Sequence, residues 1–151
     1  MKTDTSYICH GGLSERLGIG CKGLVQDISS IWEEEIFTCI HPDDLEAKHL
    51  EELRIYHFVM SAVPEIRSDY YLHSHLRMKD TNGMYLKVLH RMFYLAYDTN
   101  GCARLALCLY NLSTLDVSEH FIVKSQTERL YCLSPTRVTI SCLTGNWKFF
   151  D

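Results

Sequence analysis

Two histidines, His73 and His75, stand two residues apart in a run whose polar and apolar residues alternate. In an extended strand these side chains lie on the same face, a spacing that suits a divalent metal ion. A structural metal site needs further ligands, and His10, Cys39 and His41 are the nearest candidates. We favour the alternative, in which His73 and His75 are partly exposed polar residues on an outer sheet face, and we expect no metal site.

A further histidine, His90, interrupts an apolar run and shares its strand face with Leu86, Val88, Met92 and Tyr94. A buried histidine needs a hydrogen-bond partner, which could be a side chain, a water molecule or a ligand. Two interpretations stay open at this point. His90 is either a polar group lining a ligand pocket or a core histidine that its neighbours satisfy.

The sequence contains no recognisable catalytic arrangement. Ser14 and Ser61 lack the surroundings of a nucleophilic G-x-S-x-G serine, and no phosphate-binding G-x-x-x-x-G-K loop occurs. Asp43 and Asp44 fit the start of a helix better than acid–base chemistry. The segment Gly18–Gly23 matches G-x-G-x-x-G, but it neither follows a convincing strand nor opens the helix of a βαβ unit. We therefore predict that the protein is not an enzyme.

Composition narrows the class of protein further. The chain has 151 residues, of which 46% are hydrophobic, as expected for one domain with a packed core. Its net charge of -4 and the lack of a basic patch argue against direct contact with nucleic acid. The longest apolar-rich region, Met84–Tyr97, is interrupted by charged residues, and Met1–Asp4 does not resemble a signal peptide. We expect a cytoplasmic protein that makes no contact with a membrane.

The cysteines suggest a reducing environment. The seven are odd in number and include no C-x-x-C pair, so neither a disulfide framework nor a zinc ribbon is indicated. We expect reduced, structural thiols, with Cys102 and Cys108 behaving as small hydrophobic residues in a strand.

Three strands joined by two tight turns form the clearest pattern. The runs Tyr71–Lys79, Met84–Tyr97 and Cys102–Leu112 are separated by two copies of the turn sequence Asp-Thr-Asn-Gly. This predicts an antiparallel meander. The third run is apolar on both faces, so we expect it to be covered on both sides.

A helix of about 20 residues is predicted to precede the meander, beginning at Pro42 and ending before Pro64. Asp43 and Asp44 would lie in its first turn, where carboxylates interact favourably with the helix dipole. Its predicted apolar face consists of Leu45, Leu53, Tyr56, Met60 and Val63.

The flanking segments give weaker patterns. Before the helix, we predict a short strand at Tyr7–Cys9, a helical turn at Leu13–Leu17, and a loop or short helix at Glu33–Glu35. After the meander, a hairpin of Phe121–Val123 with Arg129–Leu133 is predicted, followed by a strand at Val138–Cys142. We place a domain boundary at 115/116, with residues 1–115 as the main domain and 116–151 as an extension or linker.

The order of these elements resembles the PAS/PAC family of sensory domains. Ile40–Leu45 has the sequence I-H-P-D-D-L, close to the family's I-H-P-D-D. Leu76–Asp80 with Gly83–Val88 is similar to the PAC strand pair, and Tyr7–Ile19 to the family's first strand and short helix. The resemblance covers residues 5 to 115, and this region also resembles the N-terminal sensors of transcription regulators that carry a LuxR-type helix-turn-helix.

This resemblance implies a fold and a function. The expected fold is α+β and PAS-like, with an antiparallel sheet of about five strands and helices packed on one face. The expected function is non-catalytic signalling: the domain, as a homodimer, would bind a small ligand or a protein partner and regulate a DNA-binding region outside this segment. The residues expected to line a ligand pocket are Tyr56, His57, Met60, His90 and Met92.

The resemblance leaves the cofactor unknown. Flavin sensors of the LOV type carry an Asn-Cys-Arg-Phe-Leu-like stretch that this sequence lacks. A haem sensor needs an axial histidine on the helix before the meander, where His49 and His57 stand, but we favour solvated histidines. Two alternatives stay open: a homodimerisation module without a ligand, whose contact would use the outer sheet face (His73, His75, Arg77) or the N-terminal segment, and a metal- or haem-binding sensor.

Overall fold

The computed structural model describes residues 6–28 and 33–114, and the backbone of residues 121–124, 129–133 and 138–142. The fold is α+β, as predicted. The helices are α1 (Gly12–Leu17), α2 (Glu34–Cys39), α3 (Pro42–Ser61) and a 3₁₀ helix at Pro64–Asp69. The strands are β1 (Ser6–Cys9), β2 (Val25–Ile28), β3 (Tyr70–Lys79), β4 (Tyr85–Tyr97), β5 (Ala103–Leu112), β6 (Phe121–Lys124), β7 (Arg129–Leu133) and β8 (Val138–Cys142). Within this described part of the chain, no helix is both long and apolar enough to span a membrane.

The strands form two sheets. β1 pairs with β2 in an antiparallel hairpin whose register sets Ser6 opposite Ile28. The second sheet has the order β5-β4-β3-β6-β7-β8. The expectation of an antiparallel sheet of about five strands is therefore met only in part, because the strands are divided between two sheets. β2 was missed because Val25–Ile28 is too short for a clear alternation, and β6, predicted from its apolar run, pairs with β3 in a register that the sequence does not reveal.

The described residues divide into two compact units. The first lies within Met1–His49, His75–Leu89 and Tyr110–Asp116, and the second within Leu50–Ser74, His90–Leu109 and Val117–Asp151. Each has its own apolar cluster. In the first, the buried residues are Ile8, Leu17, Ile36, Ile40, Leu76, Met78 and Val88. In the second, they are Ile55, Val59, Tyr70, Leu72 and Tyr94.

The meander has the predicted strands and turns. β3 alternates as expected, and its buried residues are Tyr70, Leu72, Ser74, Leu76 and Met78. In both turns an aspartate, Asp80 or Asp98, accepts two main-chain N–H groups at 2.9 Å through Oδ1. The donors are Asn82 and Met84 in the first turn and Asn100 and Cys102 in the second. The aspartate side chain therefore stabilises each turn, and the glycine at its end allows the chain to reverse direction.

The prediction that β5 is covered on both sides was wrong. β5 is the last strand of its sheet. Leu105 and Leu107 expose 53% and 40% of their surface. An uninterrupted apolar run is typical of a buried strand, but the run itself does not determine whether a neighbour covers it.

Helix α3 has the predicted length and start, and its buried side matches the predicted apolar face in part. Its 20 residues begin at Pro42, with Asp43 and Asp44 in the first turn. The buried positions are Lys48, Glu51, Ile55 and Val59, whereas Leu53 is half-exposed. Val63, also assigned to the apolar face, lies beyond the end of the helix and is exposed. Leu45, Tyr56 and Met60 of the predicted face are partly buried and pack against the two apolar clusters. Apolar periodicity therefore predicted the buried side only in part, because the most buried positions include two charged residues.

The Gly18–Gly23 segment has structural explanations. Gly18 ends α1 with φ of 72°, a left-handed conformation typical of glycine after a helix. Gly20 lies against the imidazole of His10, and a Cβ at this position would overlap the ring. Gly18 thus closes a helix, whereas a dinucleotide-binding motif opens one.

An ion pair joins the first turn of α3 to β3 within the first unit. Asp44 binds the guanidinium of Arg77 through both oxygens, at 2.6 Å to Nη2 and 3.0 Å to Nε. The main-chain N–H of Arg77 donates to the same carboxylate at 2.7 Å. Burial acts to raise the pKa of Asp44, but the hydrogen bonds and charge of Arg77 outweigh it and hold this pKa below its ordinary value of 3.8.

We predict that Asp44→Asn lowers the stability of the protein at neutral pH but not in acid. A carboxylate whose pKa is lower in the folded state stabilises above its unfolded pKa, and that contribution is lost as pH falls through the folded pKa. Thermal unfolding at pH 7 should show a Tm lower by about 2–4 °C, and the difference should disappear as the pH falls through the lowered pKa of Asp44. Asp43→Asn, at an exposed position 3.9 Å from the same guanidinium, is the matched control and should change Tm little. A Tm difference for Asp44→Asn that is independent of pH would contradict the role given to its charge.

Candidate functional site

The candidate site lies in the second unit, around the fully buried imidazole of His90 on β4. The predicted side-chain alternation of this strand is confirmed in its central part, where Val88, His90 and Tyr94 are buried. The neighbouring strand β3 places Ser74 opposite the ring. Ser74 is also fully buried, and its Oγ lies 3.2 Å from Nδ1 of His90, at hydrogen-bond distance. The structure thus supplies a side-chain partner for the buried histidine.

Four of the five predicted pocket residues lie in the interior or at its margin. Tyr56, Met60 and Met92 are partly buried and pack against the apolar cluster of the second unit. His90 is fully buried. His57 differs, because it is exposed and its ring meets that of Tyr56 edge-on with centroids 5.8 Å apart. The structure therefore does not place the His57 side chain among the buried residues.

Two residues that the sequence analysis did not assign to a site complete the cluster of polar side chains around His90. Glu52 of α3 approaches His90, with Oε1 3.9 Å from Nε2. Cys108 of β5 joins them, so that one ligand-type atom from each of the three residues lies within 4.8 Å of the others. Within the described ranges this is the one group of histidine, cysteine and acidic side chains close enough together to hold a metal ion.

These two residues were missed for a physical reason. Glu52 belongs to a charged helix in which exposed glutamates are ordinary. Cys108 stands in an apolar run, where cysteine usually acts as a small hydrophobic residue. No spacing in the sequence connects a helix position to positions on two later strands. The alternation of β5 could have indicated that Cys108 faces the same side as Tyr110, but not what faces it.

The electrostatics of the site are set by burial and by acidic groups. Burial raises the pKa of Tyr94, and the nearby Glu52 and Cys108 add to this effect. Tyr94 therefore stays neutral and can act as a hydrogen-bond donor over the physiological range. Its ring also meets that of Tyr56 edge-on, with centroids 6.0 Å apart. The rings of Tyr56 and Tyr94 thus lie beside the polar side chains around His90.

The other histidines of the sequence analysis lie in different surroundings. His73 and His75 are partly buried on β3. His10 is buried, with Nε2 3.1 Å from Oε1 of Gln26. His49, considered above as a haem ligand, is exposed and its ring meets that of Phe37 at 5.3 Å.

The remaining candidate ligands are accounted for separately. His41 packs its ring on Tyr85, with centroids 5.0 Å apart. Cys39 is partly buried, and burial raises the pKa of its thiol. The described cysteines are reduced thiols, of which Cys102 is exposed rather than packed as a small hydrophobic residue. Cys132 and Cys142 lie in strands of which only the backbone is described.

No protein-family model matches the chain, and a search of curated proteins finds no significant match.

Proposed function

We propose that the protein is a non-catalytic, PAS-like sensory domain that binds a small ligand or a protein partner. A long helix followed by a three-strand meander supports this proposal, because that order carries the resemblance to PAS domains. In the second unit, Ile55 and Val59 of the helix pack with Leu72 of β3 and Tyr94 of β4. PAS domains, which the chain resembles, hold their ligands between the sheet and the helices.

The observation that carries the proposal is the buried pair Ser74 and His90. Burying polar side chains costs free energy even when they bond to each other, and an apolar pair at these positions would avoid this cost. Polar groups retained among aromatic and methionine side chains are typical of small-molecule sites, where they fix the orientation of the ligand. His90 and Ser74 would have that role here, with Tyr56 and Met92 supplying apolar contact.

Signalling would follow from unequal affinity for two states of the domain. A ligand changes a conformational equilibrium only if it binds one state more tightly than the other. The output would be a DNA-binding region of the kind found in LuxR-type regulators, because the net charge of -4 does not favour contact between this segment and DNA. The sensor and the DNA-binding function would then reside in different segments.

Native mass spectrometry tests the ligand proposal. The purified protein should carry a bound small molecule, or should bind one from a metabolite extract, with a rise in Tm. Met92→Trp, which adds bulk beside the buried cluster, should abolish binding while the far-UV circular dichroism is retained. Leu105→Trp, at an exposed position on β5, is the matched control and should bind normally. A bare polypeptide mass together with no Tm shift from any fraction would overturn the small-ligand proposal.

Homodimerisation without a ligand is the second candidate, favoured by exposed leucines in the second unit. Leu95 on β4 is half-exposed, as are Leu105 and Leu107 on the adjacent edge strand β5. Single exposed leucines are ordinary, but contiguous exposed apolar patches mark interaction surfaces, and Leu105 and Leu107 share one face of β5. Light scattering at high protein concentration should then give the dimer mass, and Leu105→Lys should return it to the monomer mass. A monomer mass for the unmodified protein would exclude this candidate.

A further inference from the structure

We propose that Glu52, His90 and Cys108 form a binding site for a divalent transition-metal ion, with zinc as the best chemical match. The inference concerns these three side chains and their neighbour Ser74, and it does not depend on the sensory function. An organic ligand or a partner can fail to bind while the metal site exists, and the reverse is equally possible.

The geometry is the first argument. The three side chains come from α3, β4 and β5, and their ligand-type atoms lie within 4.8 Å of one another. Tetrahedral zinc, with bonds of about 2.0–2.3 Å, places its ligand atoms about 3.3–3.8 Å apart. Glu52 Oε1 already lies 3.9 Å from His90 Nε2, and no pair of these atoms is more than 4.8 Å apart. The largest approach needed is therefore about 1.5 Å, which side-chain rotation can provide. Glu52 is suited to this movement, because it has three side-chain torsions and 21% of its side chain is exposed.

The donor set is the second argument. An imidazole nitrogen, a thiolate sulfur and a carboxylate oxygen are each ordinary zinc ligands, whereas a thiolate is foreign to magnesium and calcium sites. Three protein ligands leave the fourth tetrahedral position open for water or for a small ligand. An anionic thiolate and carboxylate beside a neutral imidazole also balance the two positive charges of the ion.

The surroundings of His90 are the third argument. Ser74 lies 3.2 Å from Nδ1, and Nε2 is on the side of Glu52. When Nδ1–H donates to Ser74, the lone pair is on Nε2, the tautomer that binds a metal. Fixing the outer nitrogen in this way is the usual arrangement around metal-bound histidines.

An ordinary ion pair explains less of the arrangement. Oε1 of Glu52 lies 3.9 Å from Nε2 of His90, a distance that is too long for a hydrogen bond. A salt bridge between them also gives no reason for a third ligand-type side chain, Cys108, at the same point. One cation bound by all three accounts for the convergence.

Cobalt titration of the full chain tests the site, after treatment with a chelator and under reducing conditions. One equivalent of Co²⁺ should give a thiolate-to-cobalt charge-transfer band, and one equivalent of Zn²⁺ should remove it. The chain has seven cysteines, so the variant comparison decides the result. Cys108→Ser should lose the band, whereas Cys102→Ser, at an exposed thiol before the same strand, should keep it.

Two further variants keep the test independent of folding defects at the buried histidine. Glu52→Gln, at a partly exposed position, should weaken zinc binding by at least about tenfold, and Ser74→Ala by about tenfold as a positioning residue. The proposal is overturned by any of three results: no band in the unmodified protein, loss of the band in Cys102→Ser as in Cys108→Ser, or unchanged zinc affinity in Glu52→Gln.

Discussion

Ile55→Ala should destabilise the protein by about 3 kcal/mol, among the largest effects expected of a single substitution in this chain. Ile55 has no exposed surface and belongs to the buried cluster that includes Leu72 and Tyr94. Truncation removes three buried carbon atoms and leaves a cavity that rigid neighbours on the sheet fill only in part. Urea unfolding followed by circular dichroism would measure the loss as a lower midpoint with an unchanged slope.

Leu53 on the same helix provides the matched control. It is 53% exposed, so Leu53→Ala should change the free energy of unfolding by no more than about 0.5 kcal/mol. The two variants also distinguish the two possible orientations of α3, because apolar periodicity assigned Leu53 to the buried face. A larger loss for Leu53→Ala than for Ile55→Ala would show that the helix packs through the other side.

Gly20→Ala should be the next most damaging change, with a loss of about 1–3 kcal/mol. The added Cβ would overlap ring atoms of His10. His10 is 4% exposed and its ring lies within hydrogen-bond distance of Gln26, so the ring has little room to move aside. To relieve the overlap, either the loop shifts or His10 loses its hydrogen bond. In either case chemical denaturation should show a lower free energy of unfolding.

Two comparisons isolate the overlap as the cause. Gly12→Ala, in the first turn of α1 with no atom near the added methyl, should leave stability unchanged or slightly raised. The double variant His10→Ala with Gly20→Ala should lose less than the sum of the two single variants, because the small side chain removes the obstacle. Strict additivity would show that the ring is not what Gly20 accommodates.

The meander could be predicted because its strands and turns are determined by residues that are close together in the sequence. Alternation fixes the face of each residue in β3, and the Asp-Thr-Asn-Gly sequences fix where the chain reverses. The start of α3 follows equally from Pro42 and the two aspartates after it. Each of these features is determined by residues within a few positions of one another.

Features set by distant residues could not be predicted in this way. The buried stripe of α3 includes Lys48 and Glu51, whose burial depends on what lies opposite them. The exposure of Leu105 and Leu107 on β5 depends on which elements pack over that face of the sheet, and these can come from anywhere in the sequence. His90 was identified from the sequence because it interrupts an apolar strand, but Glu52 and Cys108 reach it only through the tertiary packing of three elements.

The two Asp-Thr-Asn-Gly turns also influence a slow chemical change of the protein, the deamidation of asparagine. Asn-Gly is the sequence most prone to spontaneous deamidation, in which the nitrogen of the glycine attacks the amide of the preceding asparagine. In both turns that nitrogen is engaged, since Gly83 donates to Asp80 O at 3.0 Å and Gly101 to Asp98 O at 2.9 Å. The attacking atom is held away from the amide while the turn is intact. The rates of deamidation at Asn82 and Asn100 should therefore report how often each turn opens.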